Sequence, residues 1–465
     1  MADQPTNPGA PTPDAEAAWR ALPSRSLTPP QILNGRIPIL DVEPVVEGGS
    51  RPAKAAEDEL ITVGATVFRE GHDLIGVEVV LIDPTGAEFT VSPMHPVGEG
   101  MDRWEGAVRP DEPGEWAFLV GAWADPIAKW LHRAEIKIPA DIDSDLELTE
   151  GALIFDRAAA AAEGKRSKKA YLATAKALRS ARGTAVEKLA AANSDALGQA
   201  HIDDPLRDLV TDSGPWPLRV DRRLALVGSW YEMFPRSEGA TISPLKSGTF
   251  ATAAQRLPAI AEMGFDVVYM PPIHPIGEVN RKGPNNTVDS GPTDPGSPWA
   301  IGSAAGGHEA VHPDLGTLAD FDDFVAAAKK LNLEIALDLA LQVAPDHPWA
   351  TEGKPWFIVR ADGTIAYAEN PPKKYQDIYP IWFDGDPQGL IDEVVRIIRF
   401  WADRGVRIFR VDNPHTKPVR FWDEVLGQIH DTDPDILFLA EAFTRPPMMR
   451  ALAEVGFHQS YSYFT

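Results

Sequence analysis

Cysteine is absent from the chain, which removes disulfides, thiolate metal sites and cysteine nucleophiles from consideration together. Long apolar runs are absent too: nothing approaches the roughly 18 residues that span a bilayer, and no signal-peptide pattern opens the sequence. The expectation is a cytoplasmic protein with no membrane partner. Basic residues are scarce, with 44 Lys and Arg against 68 Asp and Glu and a net charge of −24. A surface that acidic repels phosphate backbones, so nucleic acid is not an expected partner. It also makes any basic cluster in a loop conspicuous. What remains is an ordinary globular composition, 44% hydrophobic and 24% charged over 465 residues. At about 100–200 residues per domain that is room for two to four domains.

The texture changes along the chain. Residues 1–34 are rich in proline and poor in apolar periodicity, and are expected to be a disordered tail. From 35 to 145 short apolar runs alternate with turn residues (IPILDVEPVV, ELITVGATVF, IGVEVVLID, EFTVS, EWAFLVGAW, AEIKI), which predicts an antiparallel β-sandwich. Residues 146–205 are dominated by alanine with interspersed Lys and Arg, a helical segment expected to pack on that sandwich. From 206 to 465 apolar residues recur at i, i+3, i+4, i+7 in Phe321-Phe324-Val325-Ala328, Ile391-Val394-Val395-Ile398 and Trp422-Val425-Leu426-Ile429. Between them lie continuous apolar runs (FDVVYM, EIALDLAL, VRIFRV, DILFLA) of the kind that strands buried on both faces show. Helix–strand alternation means parallel βαβ units. Six strands are predicted, near 226–232, 266–270, 334–340, 407–412, 436–441 and 457–462. Two connections, 271–320 and 342–388, are too long for bare βα turns and are expected to be functional inserts.

In such folds ligands meet the carboxyl ends of the strands, and the chemically interesting residues sit there. Asp338 lies in the third strand with Gln342 just beyond it. Arg410 and Asp412 end the fourth strand in FRVDNPH, and Glu441 ends the fifth in FLAEAF. Two carboxylates on successive strand ends suit glycoside chemistry, one meeting the anomeric carbon while the other protonates the departing oxygen. Arg410, two residues before Asp412, points to the same side of its strand and would keep that carboxylate ionised. By spacing alone, acids in these positions also serve as helix N-caps or as the acids of an enolase-like or aldolase-like barrel. The histidines at 274, 308, 312 and 347 read as satisfied loop residues, and their spacing suits no zinc site.

Taken together, GFDVVYMPPIHPIG, ALDLALQ, FRVDNPHTKP and LAEAF resemble the α-amylase clan of retaining glycoside hydrolases and transglycosylases. More narrowly, WYEMFPRS, RKGPNN, GSPWAIGS, GGHEAVHPDLGT, APDHPW, AENPPKKYQDIYP and SYSYF resemble the α-1,4-glucan:maltose-1-phosphate maltosyltransferases. The resemblance implies a (β/α)8 TIM-type catalytic barrel, incomplete here with about six strands, behind the N-terminal sandwich. It implies transfer of maltosyl from α-maltose 1-phosphate to the non-reducing end of an α-1,4-glucan, with retention and release of phosphate. Asp412 is then similar to the nucleophile and Glu441 to the acid/base. Donor-site residues of the family fall on Lys282, Gln342, Asp377 and Asn413. Supporting roles go to Arg410, Asp338, His415 and the Lys373-Lys374-Tyr375 run. Trp299 offers a ring surface. No metal and no cofactor is called for, and a homodimer through the N-terminal domain is implied.

Three departures from the wider clan matter. Gln342-Val343 stands where most clan members carry Asn-His, and His415 comes three residues after Asp412 rather than four. Both favour the phosphate-using subfamily over an amylase-type hydrolase or a trehalose-forming isomerase. Third, the clan's remaining carboxylate belongs after the sixth strand, where this sequence stops. A chain truncated at its C-terminus, with the alternative of an inactive fragment, is the expectation.

Overall fold

The computed structural model describes residues 35–71, 73–98 and 100–462; the tail expected over 1–34 lies outside them. The described chain divides into two compact units, 35–221 and 222–462.

The first unit contains two sheets. Four antiparallel strands run in the order Ile39–Glu43, Ile61–Val67, Arg103–Val108, His95–Val97. Five more run in the order Ala53–Ala56, Asp208–Asp221, Gly114–Ala124, Ile75–Ile82, Glu88–Pro93. Alternate residues of both sheets, among them Val63, Ala65, Val79, Leu81, Phe118, Val120 and Leu218, form one buried cluster, as period-2 strands facing each other must. The helices have a separate core around Trp130, Phe155 and Tyr171.

Two boundaries differ from the sequence expectation. AEIKI, read as a strand inside 35–145, is the end of the helix Pro126–Lys137. Asp125 caps that helix by accepting from the Ala128 N–H, Pro126 occupies its first turn, and Ile127, Trp130 and Ala134 bury one face. Capping and periodicity outweigh the β-branched content of the last turn. The strand Asp208–Asp221, assigned by the sequence to the barrel, pairs instead with Gly114–Ala124 and Ala53–Ala56. Its inward residues Trp216, Leu218 and Val220 alternate correctly, but the Gly214-Pro215 step disguises the period as a turn. The helical segment is therefore inserted between two paired strands of one sheet, and the barrel unit begins at 222 rather than 206.

The second unit is a curled parallel sheet of six strands in chain order: β1 (Trp230–Glu232), β2 (Val267–Met270), β3 (Glu334–Leu339), β4 (Ile408–Val411), β5 (Leu437–Glu441) and β6 (Gln459–Tyr461). Every neighbouring pair is parallel. Helices α1 (Leu318–Lys330), α2 (Pro387–Ala402), α3 (Val419–Thr432) and α4 (Pro446–Glu454) follow β2, β3, β4 and β5 in turn. The predicted amphipathic stripes are the buried stripes: Phe321, Phe324, Val325 and Ala328 on α1, Ile391, Val394, Val395 and Ile398 on α2, and Trp422, Val425, Leu426 and Ile429 on α3.

Strand periodicity sorts the two faces. Leu337 and Leu339 of β3, Phe409 and Val411 of β4, and Phe438 and Ala440 of β5 join the helices in the main core. The opposite face starts with a small apolar layer of Val267, Ala336, Ile408 and Leu437. Two and four residues further on, that same face carries Tyr269, Asp338, Arg410, Asp412 and Glu441. An apolar floor thus lies at the N-terminal ends of the strands and a polar layer at their C-terminal ends.

Candidate active site

Arg410 is the centre of the polar layer. Its side chain is 7% exposed. Nη1 meets Asp338 Oδ2 at 2.8 Å and Asp412 Oδ1 at 2.9 Å, Nη2 meets Glu441 Oε2 at 2.7 Å, and Nε donates to the Tyr461 hydroxyl at 3.0 Å. One planar fork therefore gathers three carboxylates from β3, β4 and β5. Register explains the meeting: Asp338 and Arg410 are direct cross-strand partners, and Glu441 pairs with Tyr461. Burial works to lower the Arg410 pKa, but the charges of Asp338 and Asp412, with the neighbouring tyrosines, outweigh it and leave the pKa raised.

Asp412 follows β4 directly. Its N–H continues the sheet by donating to Leu339 O at 3.0 Å. Its carboxylate takes Arg410 on Oδ1 and Gln342 Nε2 on Oδ2 at 3.2 Å. Asn413 then adopts a left-handed backbone (φ 43°, ψ 54°), a conformation that Asn tolerates better than most residues. This turns the Asn413 N–H onto Glu441 Oε2 at 3.2 Å. Asp412, Glu441, Gln342, Asn413, Arg410 and Asp338 are thus one hydrogen-bonded group.

Asp338 is buried at the bottom of the group. Oδ2 accepts from the Tyr269 hydroxyl at 2.6 Å and Trp299 Nε1 at 3.3 Å as well as from Arg410. Burial, aided by the nearby Asp412 charge, pushes its carboxyl well above the ordinary range, against the pull of Arg410. Trp299 arrives from the first long insert, so its indole both offers a ring and ties that insert to the sheet.

The second insert returns to the same place. Gln342-Val343 pairs antiparallel with Tyr379-Pro380, so the residues just before Tyr379 are delivered beside β3. Lys282 and Asp377 are both buried. Lys282 Nζ donates to Gln376 Oε1 at 3.0 Å, and Asn280 Nδ2 donates to Gln376 O at 3.2 Å. The two inserts therefore clasp each other through Gln376. Burial raises the Asp377 pKa while the Lys282 charge opposes it, and Asp377 Oδ1 is buried without a hydrogen-bond partner. A buried acceptor left open in this way is a place for a hydroxyl donor.

Lys373 and Lys374 are exposed on the hairpin of Ala368–Asn370 and Lys373–Tyr375, with Tyr375 half-buried. Among the described residues no hydrogen bond or ion pair joins these amines to the carboxylate group. His415 is half-buried with an unpartnered Nδ1. Tyr269, Tyr461, Gln376 and the partners of Lys417 escaped the sequence. For the two tyrosines a signal existed: each is the polar-tipped member of a strand run, on the same alternation as the strand-end acids.

Three further histidines fasten the inserts. His308 Nε2 lies 2.9 Å from Ala340 O and its Nδ1 lies 3.2 Å from His347 Nε2; His347 Nδ1 accepts from the Trp349 N–H at 3.0 Å. A carbonyl only accepts and an amide N–H only donates, so both rings are neutral and protonated on Nε2. Burial lowers the His308 pKa to about 4 and that of His347 to about 2. His274 Nδ1 is 3.0 Å from Ala310 O. Gly302 and Gly307 close over His347: a Cβ on either would stand 2.1 or 2.5 Å from the ring. Among the described residues no group of three or more His, Asp or Glu is arranged to hold a metal ion, and no helix is long and apolar enough to cross a membrane.

Comparison with known proteins finds relatives over most of the chain. A family model for α-1,4-glucan:maltose-1-phosphate maltosyltransferase, domain N/S, matches residues 35–222. The chain is 59% identical over 431 residues to α-1,4-glucan:maltose-1-phosphate maltosyltransferase 1 of Streptomyces coelicolor, covering 93% of this chain and 64% of that protein. It is 50% identical over 460 residues to the corresponding enzyme of Mycobacterium tuberculosis, covering 93% and 65%. Among solved structures, an α-amylase from Lactobacillus plantarum matches with a TM-score of 0.40 at 28% identity, over 50% of this chain and 48% of that one. The chain spans a little under two thirds of the length of the curated relatives it matches. Over that span it belongs to the α-1,4-glucan:maltose-1-phosphate maltosyltransferase family.

Proposed function

We propose that this chain carries catalytic and donor-binding residues of a cytoplasmic, retaining maltosyltransferase. The donor is α-maltose 1-phosphate, the acceptor is the non-reducing end of an α-1,4-glucan, and phosphate is released. The observation that carries the reading is the guanidinium of Arg410 holding Asp412 and Glu441 side by side at adjacent strand ends.

In the first step an Asp412 carboxylate oxygen attacks C1 of the maltosyl unit while the C1–O bond to phosphate breaks. Glu441 supplies the proton that leaves with the phosphate. In the second step the acceptor 4-hydroxyl attacks C1, the Asp412 ester breaks, and Glu441 takes the hydroxyl proton back. Two inversions at C1 give net retention. Both steps move only a glycosyl group and a proton, so no electron carrier is called for.

Support for the roles comes from the contacts. Arg410 and Gln342 both donate to Asp412 and fix the direction of its carboxylate. Lys282 contributes a cation near the open acceptor of Asp377, a combination suited to a hydroxyl-rich, anionic donor. Asn413 joins the nucleophile to the acid/base. Lys373, Lys374 and Tyr375 remain proposed contacts from the exposed hairpin, and His415 a proposed support of the turn. A homodimer through the N-terminal unit belongs to the same proposal and is read from sedimentation.

The test is phosphate release from α-maltose 1-phosphate with maltohexaose as acceptor, using the protein as the gene encodes it. Release matched by maltosyl extension, and abolished by Asp412→Ala, is expected. Reducing sugar from starch with no dependence on phosphate overturns the reading in favour of a hydrolase.

A further inference from the structure

Lys417 is the buried cation that the reaction as drawn leaves unused. The residue is 8% exposed, and its Nζ donates to the main-chain carbonyls of Asp412 at 3.0 Å and Asn413 at 3.1 Å. Consecutive carbonyls do not converge on one point in an extended strand, where they alternate in direction. They converge here because Asn413 is left-handed, which swings its carbonyl round to the side of the preceding one. The same rotation delivers the Asn413 N–H to Glu441.

The chain beyond is built to bring the amine back. Residues Pro414–Thr416 form a single 3-10 turn, the Lys417 N–H closes it onto Pro414 O at 3.1 Å, and Trp422 Nε1 of α3 anchors the same Pro414 carbonyl at 3.0 Å. Burial lowers the Lys417 pKa to about 8, and the charges of Asp412, Asp338 and Glu441 resist that fall while Arg410 adds to it. The amine is therefore still mainly a cation at neutral pH, the second one beside three carboxylates.

We propose that Lys417 is a positioning residue for glycosyl transfer: by holding both carbonyls of the Asp412–Asn413 turn, its ammonium fixes the Asp412 carboxylate and the Asn413 N–H that meets Glu441 in a single geometry. This inference rests on the maltosyltransferase reading. It assigns Lys417 no contact with either sugar. Removing it frees the turn to relax toward ordinary backbone angles, which shifts the attacking oxygen relative to C1, and displacements of about 1 Å cost on the order of 10²-fold in rate.

The experiment compares the parent protein, as the gene encodes it, with Lys417→Met, Lys417→Arg and Lys417→Gln. It measures kcat and KM for α-maltose 1-phosphate, with circular dichroism to confirm folding. Lys417→Met is expected to lower kcat about 10²-fold while donor KM moves less than about threefold. Lys417→Arg, which keeps a cation, is expected to recover about tenfold of that loss. A general weakening of the fold would not produce a kcat-only effect with rescue by charge. If Lys417→Met fails to fold, the same comparison is made between Arg and Gln, with Arg again expected to be the faster by about tenfold. A folded neutral variant with kcat within about threefold of the parent, or a loss confined to KM, overturns the inference and leaves the functional reading standing. A parent protein that releases no phosphate overturns both.

Discussion

Replacing Arg410 with Met is the sharpest test of the site's electrostatics, because one guanidinium holds Asp338, Asp412 and Glu441 at 2.7–2.9 Å. Without it three buried carboxylates face one another. The cheapest escape is for at least one of them to take up a proton. For an ordinary carboxyl with a pKa near 4, protonation at pH 7 costs about 1.36 × 3 ≈ 4 kcal/mol. That falls within the roughly 3–5 kcal/mol expected when one partner of a buried ion pair is removed.

The sign with pH follows. In the variant the folded state binds a proton that the unfolded state releases above about pH 4, so stability falls as pH rises and recovers on acidification. At pH 5 the cost of that proton is about 1.4 kcal/mol. The gap between parent and Arg410→Met, measured by urea unfolding, is therefore expected to shrink by roughly 2.7 kcal/mol between pH 7 and pH 5 for each proton that the folded variant binds beyond those bound by the folded parent, whose Asp338 carboxyl is itself raised. Phosphate release should be lost at both pH values, since nothing then holds Asp412 and Glu441 side by side. A gap that stays constant, or widens in acid, refutes the argument that Arg410 balances buried charge.

Other outcomes follow from the same geometry. Gln342→Glu replaces a donor 3.2 Å from Asp412 with a like charge; the acid limb of the pH profile of kcat/KM should move up by about one pH unit, and an unmoved limb shows that Gln342 leaves Asp412 unaffected. Gly302→Ala places a Cβ 2.1 Å from the His347 ring at φ +100° and should cost about 3 kcal/mol in urea unfolding. Gly363→Ala, at φ +83° with nothing within 4 Å, should cost only the backbone part, about 1 kcal/mol; equal costs would mean the ring yields freely. Finally, burial holds His308 and His347 far below an ordinary histidine pKa, so the unfolded chain binds protons that the folded one refuses and stability falls as pH drops below about 6.5. His347→Gln should flatten that slope by about 1.4 kcal/mol per pH unit between pH 6 and 4.5, and an unchanged slope would show that the pair is not held neutral.

The features legible in the sequence are those governed by local periodicity. Helix stripes at 321–328, 391–398 and 422–429 and the six parallel strands could be read because each element buries one regular face. Asp412 and Arg410 were legible as neighbours because a two-residue offset on a strand means a shared face. Features that depend on distant partners were hidden. Nothing local in the Asp208–Asp221 strand says that it completes a sheet begun at Ala53, and a Gly-Pro step masks its period. Nor does the sequence show that Gln376 bridges Lys282 and Asn280 from 94 and 96 residues away, or that Lys417 caps two carbonyls. Those pairings come from the paths of two long inserts and from one left-handed residue.

The histidine clasp has a consequence for how such a chain can diverge. Ala340 O and the Trp349 N–H dictate which nitrogen of each ring carries the proton, and Gly302 and Gly307 leave room for one imidazole and nothing larger. A substitution at any one of these positions strands its partners, either as an unpaired buried nitrogen or as a clash. Among descendants of this sequence, residues 302, 307, 308 and 347 should therefore be inherited as a block. The exposed stretches of the same inserts are free to drift, and insertions there are tolerated only where they preserve the spacing that returns both loops to the clasp.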